Sequence, residues 1–298
     1  MKNSPEKRLA PSADRHMVST LLLMASAVVV GLLGFTTAIA QPQNPTVLIT
    51  GSSQGIGFFF VQGYAELGWT VIATCRNPAG AEQLKKYAAD HANVIIEELD
   101  VTDDQEIEAL AEKYRDTPID VLLNNAGINP FRAGPMSRFG DMDYDRFAKI
   151  LEVNVIGPLK VSEAFLDHVA ASDQKKIVVM TSTGGSITNA HIMAKQIGVP
   201  DYRASKAAVN MIMRLLALEL AERNVIVGII GPGSVDTRGI LEMDPASLPE
   251  RTRKRIESGQ EKLLRPSEAI DSMITLIDGL ASEDSGVFYN WAGEVLPW

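Results

Sequence analysis

The sequence predicts an α/β protein built as a doubly wound parallel sheet: three layers, α/β/α, in a single domain. Three observations predict it. Short apolar runs rich in β-branched residues recur along the chain, longer helix-like segments fall between most of them, and a glycine-rich turn directly follows the first run. Near-continuous apolar strands alternating with amphipathic helices indicate a parallel sheet covered on both faces. Such a sheet binds its ligands at the carboxyl ends of the strands.

Ahead of the first strand lies a segment of different character. Residues 17–40 carry no charged side chain, follow Lys2, Lys7, Arg8 and Arg15 set against Glu6 and Asp14, and close on Ala38 and Ala40 spaced A-x-A. That is the pattern of an export signal, and the run is also long enough to cross a bilayer, which takes roughly 20 apolar helical residues. Residues 1–40 are therefore read as a signal peptide or an N-terminal membrane anchor, and 41–298 as the folded domain. Positive residues ahead of the run place the domain outside the membrane, on the periplasmic side; a start at Met17 or Met24 would leave it cytoplasmic. No adjacent arginine pair precedes the run, so a signal of the kind that exports folded proteins is missing.

The strands are read in order at 46–50 (TVLIT), 70–74 (TVIAT), 93–98 (NVIIEE), 119–123 (IDVLL), 176–180 (KIVVM), 224–230 (NVIVGII) and 286–290 (GVFYN). After the first, a helix runs to about Leu67 with Gly68 as its C-cap, completing one βαβ half of a dinucleotide fold. Phe58, Phe59 and Phe60 read as packing against the sheet, and 238–260 as a lid whose basic cluster, Arg251 to Arg255, reads as a solvated helix face.

Bulk properties exclude several classes. The chain of 298 residues carries a formal charge of −9, and removing residues 1–40 makes it more negative, which argues against nucleic acid as a partner. Cys75 is the single cysteine and cannot form an intrachain disulfide, and four scattered histidines offer no metal cluster.

Three constellations carry chemistry. The turn Thr50-Gly51-Ser52-Ser53-Gln54-Gly55-Ile56-Gly57 has glycines where a Cβ would block a tight turn or the approach of a pyrophosphate to backbone N–H groups. The second strand ends Ala73-Thr74-Cys75-Arg76, without the acid that would accept the ribose hydroxyls of NAD; Arg76 suits the 2′-phosphate of NADP instead. Tyr202 and Lys206 stand four residues apart, on one face of a helix, where an ammonium would lower the phenol pKa and make an acid–base catalyst.

In sequence order, TGSSQGIG, Leu99-Asp100-Val101, Asn124-Asn125-Ala126-Gly127, Asn154, Ser182, YRASK and Pro232-Gly233-Ser234-Val235-Asp236-Thr237 resemble the short-chain dehydrogenases/reductases over about residues 45–298. Within that Rossmann-type family, TCRNP, YRASKAAVN and the closing GEVLPW look most like the C-factor and sniffer-type carbonyl reductases. The resemblance implies a hydride-transferring oxidoreductase acting on a small carbonyl or alcohol, with NADP(H) favoured over NAD(H). Tyr202 would be the acid–base, Lys206 would lower its pKa and hold the nicotinamide ribose, Ser182 would bind the carbonyl oxygen, and Asn154 would fix a relay water. Gly51, Ser53, Gln54, Gly55, Ile56 and Gly57 would line the pyrophosphate, Asp100 and Val101 the adenine, and Asn125, with Ala126 and Gly127, the ribose. Pro232, Gly233, Val235 and Thr237 would meet the nicotinamide end.

Two departures stand out. Gln54 occupies a position that is basic in many NADP-dependent members, and Thr183 to Asp201 is longer than in many relatives; together with Ile128-Asn129-Pro130 and the lid it should shape the substrate site. The resemblance also implies that helices near 145–171 and 203–222 could form the four-helix dimer interface common in the family, with a monomer left open. The alternative from another class is an exported or tethered binding protein that keeps the fold without catalysis.

Overall fold

The computed structural model describes residues 44–129, 138–191, 199–258 and 262–298. The signal or anchor read at 17–40, and the boundary after residue 40, lie outside the described residues, as do Pro130, the middle of the 183–201 insertion and the end of the lid. Among the described residues no helix is long and apolar enough to cross a membrane.

Seven parallel strands form the central sheet: β1 (Thr46–Thr50), β2 (Thr70–Cys75), β3 (Val94–Glu98), β4 (Val121–Asn124), β5 (Lys176–Met180), β6 (Ile226–Gly231) and, after two short strands β7 (Ser234–Val235) and β8 (Leu263–Leu264), β9 (Phe288–Asn290). Their order is β3-β2-β1-β4-β5-β6-β9. All seven overlap the apolar runs read from the sequence; the inner strands β2, β1, β4, β5 and β6 do so because a strand buried on both faces has no polar alternation to obscure it, while edge strand β3 leaves Ile95 and Glu98 exposed. β7 and β8 pair only with each other, in register Ser234 with Leu263 and Val235 with Leu264, and are too short to be read from sequence.

The alternation along each strand divides the core in two. Val47, Ile49, Val71, Ala73, Val121 and Leu123 face the cluster under α1 (Gly55–Glu66), α2 (Glu82–Asp90) and the penultimate-segment helix Pro266–Gly279. Leu48, Ile72 and Leu122 face the other cluster, under α3 (Asp104–Lys113), α4 (Tyr144–Leu151), α5 (Gly157–Ala164), α6 (Leu166–Ala170) and α7 (Pro200–Glu219). The lid contributes α8 (Glu250–Glu257), so Pro266–Gly279 is α9. Phe58 and Phe60 are buried in the first cluster and Phe59 packs against it, the packing role expected of them. Helix ends follow local chemistry: Asp103 caps α3 by accepting from Gln105 and Glu106 N–H, and Asp143 caps α4 by accepting from Arg146 N–H. Leu67, not Gly68, occupies the C-cap of α1, and Gly68 follows it with φ +81°, the left-handed residue just beyond the helix.

This strand order reverses direction between β1 and β4. The crevice at their carboxyl ends is where a doubly wound sheet holds a ligand, and the glycine turn leaves β1 there while Asn124-Asn125-Ala126-Gly127 leaves β4.

Candidate active site

The glycine turn is built around two close approaches. Gly51 has φ +71°, and a Cβ on it would lie 2.8 Å from the Cα of Ala126; a Cβ on Gly57 would fall inside the contact distance of both the Gly51 carbonyl oxygen and the Asn125 amide nitrogen. The loop from β4 is stitched to this turn. Thr50 Oγ1 accepts from the N–H groups of Asn125 and Ala126, both at 3.0 Å, and Asn125 Nδ2 donates to the carbonyls of Thr50 at 2.9 Å and Gly51 at 3.1 Å. Asn125, expected to meet a ribose, therefore spends its side-chain amide on holding the loop. Thr50 is a structural organiser that motif reading passed over, although its place at the last position of the strand was the available signal.

The proposed catalytic residues converge at the carboxyl end of β5. Ser182 follows that strand at the start of a short 3₁₀ turn (Thr183–Gly185), and its Oγ accepts from Gly184 N–H at 3.0 Å. That hydroxyl lies beside the phenol of Tyr202 and lowers its pKa, as a donor to the phenolate oxygen does. Tyr202 sits in the first turn of α7, whose start is tightly determined: Val199 is buried in the left-handed region at φ 68°, Pro200 fixes the first turn, and the wholly buried Asp201 accepts from Tyr202 N–H at 2.8 Å. A β-branched residue with positive φ is strained, and it persists only where the surroundings over-determine it.

Lys206, one turn along α7, donates from Nζ to the Met180 carbonyl at 2.8 Å and lies 5.8 Å from the centre of the Tyr202 ring. Burial pushes its pKa down to about 8. Burial also pushes the Tyr202 phenol above its ordinary value, and the Ser182 hydrogen bond pulls it part of the way back. The lowering by Lys206 anticipated from the spacing is thus not the dominant influence here: desolvation of the phenol on the half-buried Tyr202 is, and sequence spacing carries no information about it.

Asn154 occupies a π-helical turn, Glu152–Ile156, between α4 and α5. Its Oδ1 accepts from Ile128 N–H at 2.7 Å, and its Nδ2 donates to the Ile128 carbonyl at 3.2 Å and to Ser205 Oγ at 3.1 Å. Ser205 in turn donates to the Tyr202 carbonyl at 2.7 Å. A buried hydroxyl thus ties the asparagine to the helix that carries Tyr202 and Lys206; Ser205 stood inside YRASK without being singled out.

At the other end of the crevice, Arg76 follows β2 and lines a cleft of about 200 Å³ with Ser53, Cys75, Asn77, Gly80 and Ala81. Asp100, after β3, has its carboxyl held below its ordinary value: burial works upward, and is outweighed by hydrogen bonds from Thr102 N–H and Oγ1 and by the charges of Arg76 and Lys149. Val101 is buried against Gly157. Gln54 is exposed at the N-cap of α1 and makes no side-chain cap, while Gly55 adopts φ +66°. Ile56 is half-buried, packed on the first core cluster. Gly127 lies against Asn154, at 3.2 Å from its Oδ1 for an added Cβ. After β6, Pro232 precedes Gly233 at φ +70°, Val235 pairs with Leu264 in the small sheet, and Thr237 N–H donates to the Val235 carbonyl. The buried Asp236 then accepts from Arg238, Ile240 and Leu241 N–H, anchoring the lid at its root.

This geometry agrees with what comparison shows. The family model described as short chain dehydrogenase matches residues 45–245. The chain is a short-chain dehydrogenase. It is 31% identical over 259 residues to an uncharacterized oxidoreductase of Schizosaccharomyces pombe, covering 84% of this chain and 96% of that one. It is 30% identical over 181 residues to the C-signal protein of Myxococcus xanthus, covering 61% and 93%. Among solved structures it resembles the NADPH-bound carbonyl reductase from chicken fatty liver, with 30% identity, a TM-score of 0.72, and coverage of 86% of this chain and 100% of that one. The likeness within this short-chain dehydrogenase family is to the carbonyl reductase type, and the chain is an oxidoreductase of the hydride-transferring class.

A nicotinamide dinucleotide fits the residues of this short-chain dehydrogenase. The test is the turn itself: a Cβ at Gly51 would collide with Ala126 and one at Gly57 with the Gly51 carbonyl and the Asn125 amide, so glycine alone lets the turn close tightly at the N-terminus of α1, where a pyrophosphate is received. Among the described residues no group of three or more His, Cys, Asp or Glu side chains could hold a metal ion.

Proposed function

We propose that this protein is an NADP(H)-dependent carbonyl reductase, interconverting a carbonyl compound and its alcohol. The observation that carries the reading is the grouping of Ser182, Tyr202 and Lys206, with Lys206 Nζ 5.8 Å from the Tyr202 ring centre, at the strand ends that also bear the glycine turn.

The bound cofactor would supply the hydride, or accept it in the reverse direction. Tyr202, whose phenol burial keeps protonated, gives its proton to the carbonyl oxygen in reduction and recovers it in oxidation. Ser182 donates a hydrogen bond to the same oxygen as negative charge develops on it, a preorganised donor that needs no reorganisation at the moment of reaction. Lys206, held by the Met180 carbonyl, would have its remaining ammonium hydrogens free to hold the cofactor ribose and would restore the proton lost by Tyr202. Asn154, fixed by Ile128 and Ser205, orients the water that resupplies Lys206. Arg76 in its cleft suits a 2′-phosphate, and the relative named as NADPH-bound supports that choice.

One experiment tests both halves of the reading. NADPH and NADH are titrated against wild type, Tyr202→Phe and Arg76→Ala, and turnover of a model aldehyde is followed for each. Tyr202→Phe should lose at least about a hundredfold in turnover with NADPH affinity nearly unchanged. Arg76→Ala should weaken NADPH by about tenfold or more while leaving NADH alone. Full activity in Tyr202→Phe would remove the mechanism, and equal losses for both cofactors in Arg76→Ala would remove the phosphate role.

A further inference from the structure

The segment that ends GEVLPW is bonded to the loop that follows Ser182. Thr188 N–H, in the loop that continues from Ser182, donates to the Trp298 carbonyl at 2.6 Å. On its other flank the segment is pinned to β9: Leu296 N–H donates to the Phe288 carbonyl at 2.7 Å, and the Trp298 ring stacks on buried Phe288 with centroids 5.5 Å apart and planes at 28°. Both segments meet beside Gly231, where an added Cβ would lie 3.3 Å from Thr183 N and 3.6 Å from Leu296 Cδ1. The wall therefore begins next to the catalytic serine.

Its exposed surface is apolar. Ile187, Val295 and Trp298 are 74%, 67% and 42% exposed, on segments joined by the Thr188–Trp298 bond. Single exposed apolar side chains need no explanation, but a group of them on segments bonded to the loop that follows Ser182 does. The same two stretches, 183–191 and 294–298, contain no lysine or arginine, and the ring of His191 is bonded through Nδ1 to the Thr188 carbonyl at 3.0 Å. Glu294, the one acid, is engaged by Asn290 Nδ2 at 2.7 Å.

We propose that Trp298 is a specificity-determining residue, and that this wall selects carbonyl compounds bearing an aromatic ring, which packs against the indole. The inference rests on the reductase reading and narrows its substrate class. A tryptophan held flat against Phe288 by stacking, and along its backbone by Thr188, is preorganised and loses little freedom when a second ring packs on it.

The test compares benzaldehyde with heptanal on the full chain with NADPH. Trp298→Ala should raise KM for benzaldehyde about tenfold, with kcat, the heptanal KM and the NADPH dissociation constant within about twofold, and Trp298→Phe should restore most of the loss. In parallel, binding of benzyl alcohol is read by saturation-transfer NMR on wild type and Trp298→Ala, which needs no turnover. Equal losses for the two aldehydes, or no change for either, would overturn the proposal by reducing the segment to a structural clasp. Absence of turnover by wild type, with benzyl alcohol binding that depends on Trp298, would retain the aromatic wall and discard the reductase reading.

Discussion

Lys206 carries a charge that its surroundings resist. Enclosed between α7 and the end of β5, it has its pKa pushed by burial from an ordinary 10.5 down to about 8. The unfolded chain keeps that proton to near 10.5 and the folded one releases it near 8, so between those values the unfolded state binds more protons. The contribution of this group to stability is therefore least favourable below pH 8 and improves as pH rises towards 10.5. Urea denaturation at pH 7 and pH 9.5 checks this: wild type should gain on Lys206→Met between the two, and a constant difference would show that the lysine does not titrate in that window. The same titration removes the ammonium from the Tyr202 ring, so kcat/KM for carbonyl reduction should decline above about pH 8. At this scale the sequence was informative about identity and silent about environment. Tyr202, Lys206, Ser182 and Asn154 were legible from spacing and motif order, yet the dominance of burial over the lysine, and the Asn154–Ser205–Tyr202 linkage, follow from packing across residues far apart in sequence.

Elements were legible where one periodicity governed them. The inner strands β2, β1, β4, β5 and β6 read as apolar runs because both of their faces are buried, whereas the π turn at Glu152–Ile156 looks like ordinary helix in sequence. That turn interrupts the passage from α4 to α5 at the position that carries Asn154, consistent with the frequent use of such interruptions at functional sites. The glycine turn is the element whose role is most open to direct test. A Cβ on Gly57 would press on the Gly51 carbonyl and on the Asn125 amide, neither of which is the free end of a flexible chain, because Asn125 is tied to both Thr50 and Gly51. Gly57→Ala should then cost about 1–3 kcal/mol of stability, as overpacking of a tight site does. It should also weaken NADPH by about tenfold or more, since the turn can accept the methyl only by moving away from the β4 loop. Thermal denaturation and NADPH titration measure the two effects. Unchanged affinity in a folded variant would mean that the cradle does not receive the pyrophosphate.

For the whole molecule, the outer face of α7 poses the remaining question. Val209, Met213 and Ala217 turn into the second core cluster, while Met211, Leu215 and Leu218 stand exposed at spacings of four and three, a second apolar stripe on the same helix. Ile156, in the π turn packed alongside, is exposed as well. Twenty residues of helix extend about 30 Å, enough length for a two-fold seam in which each copy presents the same stripe to the other. Leaving this stripe in water is unfavourable at roughly 25 cal/mol per Å² of apolar surface, and pairing it with a second copy relieves that cost on both sides at once. We therefore expect the protein to be a dimer through α7. Sedimentation velocity over a range of concentrations should show the dimer for wild type, and Met211→Glu with Leu215→Glu should give a folded monomer, because paired like charges would face one another across the seam. A wild type that stays monomeric throughout the range would dismiss the interface. Because Tyr202 and Lys206 lie on this same helix, the monomeric variant should also melt at lower temperature and lose turnover together with helix stability, while Trp298→Ala, at a residue stacked on Phe288 of β9 rather than on α7, should leave the dimer intact.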